Sequence, residues 1–157
     1  MIFMELSLEL KDWADERLEL VSGMLDITER LFDPELPEEE IEGLVEERGA
    51  LINQVDAIET TVRNHIGLLG TPLRDSALDA WAGRDTYEYF AAIAAVIRET
   101  AELGSRIMAR SSEALVHLSK RSAVLKEEMR DMRNSLNVMD KYMSNPTQTG
   151  MFFDKKE

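Results

Sequence analysis

Two histidines and many carboxylates are the residues in this sequence whose types could support metal binding or acid–base catalysis. Di-iron sites in helical bundles pair Glu with His three positions later on inward helix faces. At that offset both His65 and His117 are preceded by apolar residues, so neither has the required carboxylate. Glu113, four residues before His117, permits a contact on a helix surface but does not complete a metal cage. His65 falls among regularly spaced apolar residues, and we interpret it as a hydrogen-bonded core side chain.

Motifs for nucleophilic and phosphate chemistry are missing from the sequence. It contains no cysteine, which excludes disulfides, thiolate metal sites and cysteine nucleophiles. It has neither a Gly-rich phosphate loop followed by Lys and Ser or Thr nor a Gly-x-Ser-x-Gly elbow. Its 31 acidic residues fall on polar helix faces without flanking apolar pockets. The sequence therefore predicts a protein that is not an enzyme and needs no metal or cofactor.

The formal net charge of −13 is unevenly distributed along the chain. Residues 1–47 contain 16 acidic and 3 basic side chains, whereas the rest of the chain contains 15 of each. An acidic first third repels phosphate backbones, so we do not expect nucleic acid as a ligand. From Arg106 to Arg133 there are 7 basic and 4 acidic residues. This mild basic excess either faces solvent or lies against the acidic helices.

The first residues and the apolar runs bear on where the protein resides. Met1-Ile2-Phe3-Met4-Glu5 has no basic segment and turns acidic at once, unlike a secretory signal. The longest uncharged apolar run, from Tyr89 to Ile97, is far shorter than the roughly 20 residues that span a membrane. We therefore expect a soluble, cytoplasmic protein that does not interact with membranes.

Apolar side chains recur at spacings of three and four residues, which predicts that the histidines and carboxylates are carried by helices. The first block covers 3–32 and ends at Asp33-Pro34-Glu35-Leu36-Pro37, since proline cannot continue a helix. The second block covers 38–69, begins with three glutamates that suit the helix dipole, and closes at Gly70-Thr71-Pro72. Two helices of about 30 residues joined by a short loop are expected to pack as an antiparallel hairpin.

Both blocks carry a nearly continuous apolar stripe. The first stripe has eight apolar residues in nine positions, and its exception is Arg17. The second stripe consists of Ile41, Leu44, Arg48, Leu51, Val55, Ile58, Val62, His65 and Leu69.

A third block without proline runs from about residue 85 to Met143, after a short connecting helix expected at 75–82. Asp85 to Glu88 has the form of a capping box, with Asp in place of Ser or Thr. One helix of this span would be roughly 85 Å long. The stripe runs Phe90, Ile93, Ile97, Thr100, Gly104 and Ile107, and later Leu115, Leu118, Ser122, Leu125, Met129, Met132, Leu136, Met139 and Met143. The extra step between its two halves is a stutter, which leaves a straight helix and a bend near 104–115 both open.

The predicted fold is therefore all-α: an elongated antiparallel helical hairpin packed on a long C-terminal helix, forming a coiled-coil-like bundle. We expect this bundle to cover residues 1–143. Residues 144–157 contain Asn-Pro and Thr-Gly breakers and are expected to form a flexible C-terminal tail.

Methionine is enriched in the last part of the chain. Six of the nine methionines follow residue 107, and Met suits surfaces that adapt to a partner's shape. The alternative is an ordinary core stripe that uses Met. The first two helices would each span about 45 Å, however, and cannot cover a third helix of nearly twice that length. The uncovered Met-rich half would then be an interaction surface for a client helix or a second copy.

Three features resemble the FlgN family of flagellar export chaperones. They are the long helical hairpin, the segment Glu46-Glu47-Arg48-Gly49-Ala50-Leu51, and Tyr142 followed after a polar gap by Gly150-Met151-Phe152-Phe153-Asp154-Lys155-Lys156. The helical likeness covers nearly the whole chain, and the short end motif is the more specific part. The resemblance implies a cytoplasmic bacterial chaperone that binds the helical termini of hook–filament junction proteins and prevents premature assembly.

Under this resemblance, client binding falls on the apolar residues of the C-terminal region. These are Leu125, Met129, Met132, Leu136, Met139, Tyr142, Met143, Phe152 and Phe153. A client helix would pack on the residues from 125 to 143, and the tail would close over it with its two phenylalanines as anchors. The loop from Pro34 to Pro37 departs from the family pattern. A FliT-type chaperone of the filament cap and a homodimeric coiled-coil scaffold protein are the alternatives.

Overall fold

The computed structural model describes the backbone of residues 2–143 and the side chains of residues 3–139. It contains four helices: α1 (Ile2–Arg30), α2 (Glu38–Gly67), α3 (Thr71–Trp81) and α4 (Glu88–Met143). The described residues include no strand, and the all-α class predicted from the apolar spacing is confirmed. None of the helices in this part of the chain is long and apolar enough to cross a membrane.

The first two helices form the predicted antiparallel hairpin. Near the loop, Ile27 of α1 and Leu31, which directly follows α1, pack with Leu36 and with Leu44 of α2. The loop itself is fixed by Asp33, whose Oδ1 accepts a hydrogen bond from the backbone N–H of Glu35 at 2.9 Å. Proline therefore ends one helix and precedes the other, as the sequence indicates.

The main core lies towards the open end of this hairpin and takes residues from all four helices. It is formed by Leu6, Leu10, Ala14, Ile58, Val62, Ile66, Ala77, Ala80, Trp81, Phe90, Ile93 and Ile97. Phe90 and Leu10 are fully buried, so the start of α1 and the start of α4 share one packed centre. Burying such side chains supplies most of the stability of a helical bundle.

The first half of α4 packs on the hairpin, which confirms the predicted arrangement. Ile107 is buried with Val21 and Leu25 of α1. Further along, Arg48 of α2 donates from Nε to Thr28 Oγ1 at 3.3 Å and from Nη2 to Ser111 Oγ at 2.9 Å. An arginine in an apolar stripe is thus accommodated by hydrogen bonds to two neighbouring helices.

Two local expectations at helix starts are wrong. The connecting helix begins at Thr71, four residues earlier than predicted, because Pro72 occupies its first turn. There the missing N–H costs nothing and the fixed φ suits a helix. The capping box does not form: Asp85 Oδ1 accepts from the N–H of Tyr87 at 2.6 Å, two residues on, and α4 begins at Glu88. This is the bonding of an Asx turn.

The chain divides into two compact units, residues 1–114 and residues 115–157. We call them unit 1 and unit 2. The division falls within α4, between Ala114, the last buried residue in the described part of that helix, and Leu115. It coincides with the stutter in the sequence. The boundary predicted after residue 143 lies at the limit of the described residues and stays a prediction.

Gly104 in α4 offers a test of the helix interior. A Cβ added there would meet no heavy atom within 4 Å. Because Gly is about 0.8–1 kcal/mol less favourable than Ala inside a helix, Gly104→Ala should raise the free energy of unfolding by roughly that amount. Urea denaturation measures the change. Gly83→Ala is the contrasting control, since its φ of 73° and a Cβ position 3.2 Å from Arg98 Cγ should make it destabilising. Stabilisation at both glycines would contradict this geometry.

Candidate functional site

The described part of the predicted client-binding region is one face of α4 in unit 2. We call Leu125, Met129, Met132, Leu136 and Met139 the methionine stripe. Their spacing of 4, 3, 4 and 3 residues places them along one side of a helix, since residues three and four apart are neighbours there. The alternation is also that of a coiled-coil seam.

Unit 2 leaves this face accessible. No side chain from Leu115 to Met139 is buried. In the stripe, Met129, Met132 and Met139 are 48%, 58% and 55% exposed, and the two leucines are half-buried. Within unit 2 the described methionines of the stripe are therefore not core residues.

The remaining predicted client-binding residues cannot be placed. Tyr142 and Met143 continue the backbone of α4, but their side chains lie outside the described residues. Phe152 and Phe153 also lie outside them, as does the whole segment 144–157. Their role as anchors, and the flexibility of the tail, stay predictions.

Cations line one edge of the methionine stripe. Lys126, Arg130 and Arg133 surround Met129 at a surface depression of about 310 Å³. Arg130 Nη2 donates to Glu127 Oε1 at 3.2 Å on the exposed helix surface. The basic excess of this region is visible in the sequence, and the positions of Met129 and Arg130 three and four residues after Lys126 are the signal that places it beside the stripe. The site is therefore an apolar stripe with a basic edge.

Arg110, which belongs to the same basic excess and lies in unit 1, contacts acidic α1. Arg110 donates to Glu29 through Nε at 2.7 Å and through Nη2 at 2.9 Å, and it also pairs with Glu113. Its guanidinium carbon lies 4.0 Å from the ring centroid of Phe32. The hydrogen bonds from Arg110 hold the pKa of the Glu29 carboxyl below its usual value. For Arg110, the second of the two alternatives, contact with the acidic helices, is the one observed.

The Glu29–Arg110 pair should make stability depend on acid pH. A carboxyl whose folded pKa lies below the unfolded value near 4.5 contributes stability above that value and loses it as pH falls through the folded pKa. We therefore expect the free energy of unfolding to fall more steeply between about pH 5 and pH 3 in the wild type than in Glu29→Gln. Denaturation curves across this range measure the difference. Glu19→Gln, an exposed change on the same helix, should follow the wild-type slope.

His65 has a structural partner. It is half-buried, its Nε2 lies 3.2 Å from Glu9 Oε2, and its ring packs edge-on to Trp13 with centroids 5.2 Å apart. These contacts stabilise the polar imidazole of His65 among the apolar residues of the second stripe. In the part of the chain that the structure describes, no group of three or more His, Asp or Glu side chains could hold a metal ion.

Comparison with known proteins adds no relative. No protein-family model matches the chain, and neither do curated proteins or solved structures. The fold defines the class: an all-helical protein in which an antiparallel hairpin packs on the first part of a long helix. The identification as a FlgN-type chaperone rests on the sequence resemblance alone.

Proposed function

We propose that the chain is a cytoplasmic chaperone of bacterial flagellar export, of the FlgN type, that binds helical termini of hook–filament junction proteins. The observation that carries the proposal is the methionine stripe. Unit 1 buries a core of apolar residues from four helices, whereas unit 2 repeats apolar residues at helical spacing without burying any from 115 to 139. An apolar face of this length in water is typical of an interaction surface, and Met allows it to adapt to a client.

The mechanism we infer is capture of an amphipathic helix. The client's apolar face would pack on Met129, Met132 and Met139. Its acidic residues would meet Lys126 and Arg130 on the basic edge, which favours the correct orientation and a fast encounter. The client segment that mediates polymerisation is then covered until export. The proposal assigns no catalytic step, metal or cofactor to the chain.

A homodimeric scaffold is the second candidate, because the 4-3-4-3 spacing of the stripe is that of a coiled-coil seam. A second copy of α4 would then bury the same methionines permanently. Light scattering separates the two functions: the chaperone proposal expects a monomer at micromolar concentration without client, and the scaffold expects a dimer.

Binding of defined client segments tests the proposal directly. Peptides for the terminal helices of hook–filament junction proteins should bind with micromolar or tighter affinity in isothermal titration calorimetry. A peptide for the terminal helix of the filament cap protein is the matched comparison, and preferential binding of that peptide would favour a FliT-type chaperone. Binding of neither peptide would overturn the proposal for both chaperone types.

A further inference from the structure

Three of the non-apolar residues in the stripes of unit 1 meet at one place. Arg17 of α1 and both Thr100 and Gly104 of α4 line a single cavity of about 610 Å³. Glu59 of α2 and Trp81 of α3 complete walls that come from all four helices. A core stripe gains nothing from an arginine, a threonine and a glycine at inward positions, so their convergence calls for an explanation.

Arg17 brings an unmatched positive charge into this cavity. Ala14 and Val21, about one turn before and after it on the same face, are buried. Its guanidinium lies over Trp81, with 5.7 Å between Cζ and the ring centroid. Its Nε is buried and donates to none of the described residues, and none of their carboxylates forms an ion pair with the guanidinium.

Arg48 shows that the same fold can satisfy an arginine in a stripe. It donates to Thr28 and to Ser111, which lie on the two neighbouring helices. No such acceptor faces the buried Nε of Arg17. Because a buried charged donor without a partner is unfavourable, an acceptor from outside the chain would remove the deficit.

The other polar groups of the cavity are already paired. Glu59 accepts from Trp81 Nε1 at 3.2 Å through Oε2 and from Arg63 Nε at 2.9 Å through Oε1. At the outer edge of the cavity, Arg84 Nη2 lies 3.6 Å from Asp79 Oδ1. The residues that line the cavity include three arginines and one glutamate, so their formal charges sum to +2. Its aliphatic walls include Ile66 and Ile97.

We propose that this cavity binds a small organic carboxylate. The guanidinium of Arg17 presents paired N–H donors that match the two carboxylate oxygens. The apolar body of the ligand would lie along Trp81 and the aliphatic wall. The volume falls within the range of about 300–1,000 Å³ that is usual for small-molecule sites, which occur between the helices of bundles. The site uses unit 1 residues alone and is independent of client binding.

Titration with benzoate tests the site, and benzamide serves as its neutral isostere. The indole N–H resonance of Trp81 in ¹⁵N–¹H NMR spectra reports on the cavity, and that of Trp13, which does not line it, is the internal control. Benzoate should shift the Trp81 resonance in a saturable way with a dissociation constant of about 1 mM or tighter. Benzamide should bind at least about 10-fold more weakly. An unsaturable shift, or equal shifts with both compounds, would overturn the proposal.

Matched arginine variants assign the effect to Arg17. Arg17→Met keeps an apolar side chain over Trp81 and should weaken benzoate binding about 10- to 100-fold. Arg30→Met makes the same charge change on the same helix outside the cavity and should leave the affinity unchanged. Arg17→Lys keeps the charge without the paired donors and should bind benzoate with intermediate affinity. This variant keeps the test decisive if Arg17→Met folds poorly. Equal losses in Arg17→Met and Arg30→Met would show general charge screening and would contradict a built site.

Discussion

Replacing Leu10 by Ala should lower the free energy of unfolding by about 2–5 kcal/mol, whereas the same replacement at Leu115 should change it by less than about 0.5 kcal/mol. Leu10 is 0% exposed in the main core, so its truncation loses apolar burial and leaves a cavity. Leu115, the first residue of unit 2, is 67% exposed and has little burial to lose. In a chain of 157 residues the core variant should melt roughly 5–15 °C lower.

Urea denaturation followed by circular dichroism gives both values, and the comparison also bears on function. If Leu115→Ala lowered the free energy of unfolding as much as Leu10→Ala does, the apolar face of unit 2 would have to be covered in solution by a second copy. Such a result would favour the scaffold protein over the chaperone. A small change at both positions would instead contradict the packing of unit 1.

The helices themselves were predictable because their apolar residues follow one period over a long distance. Phe90, Ile93 and Ile97 were placed on one line from spacing, and all three are buried. Pro34 and Pro37 indicated the loop because proline removes a backbone donor and restricts the residue before it. These signals are local and strong, and tertiary packing reinforces them.

Helix starts were harder to predict because different local motifs share the same residues. Pro72 was taken as the end of one helix, yet proline is also favoured in the first turn of the next. Asp85 was taken as the cap of α4, but a short carboxylate can bond an N–H two or three residues on. The choice between these bonds depends on the direction of the connecting chain, which the sequence does not specify.

The partners of an inward-facing side chain are equally hard to predict from sequence, as the cavity around Arg17 shows. Spacing places both Arg17 and Arg48 on inward faces, but it does not reveal what lies opposite each of them. Arg48 meets two hydroxyl groups, and Arg17 meets the face of Trp81 from a helix that follows much later in the chain. Only the packed arrangement of four helices distinguishes a satisfied arginine from an unsatisfied one.

Replacing Met132 and Met139 together by Ser should weaken binding of a junction-protein helix about 10- to 100-fold. Each side chain is more than half exposed in the free chain, so a client would bury roughly half of the 1.5–3 kcal/mol that a fully buried side chain contributes. Calorimetry with the client peptide measures the loss. Adding Phe152→Ser and Phe153→Ser should increase it by a further 10-fold or more if the tail closes over the client.

The matched control for this variant is Met4→Ser with Met108→Ser. Both residues are exposed, at 66% and 75%, and neither lies on the apolar line of its helix. The control should bind the client as the wild type does. If the stripe serves a client, the Met132/Met139 variant should also keep its helicity and its melting temperature without client, because those side chains contribute little to the free fold. A variant that instead melts many degrees lower and changes its oligomeric mass in light scattering would show that the stripe seals a permanent dimer.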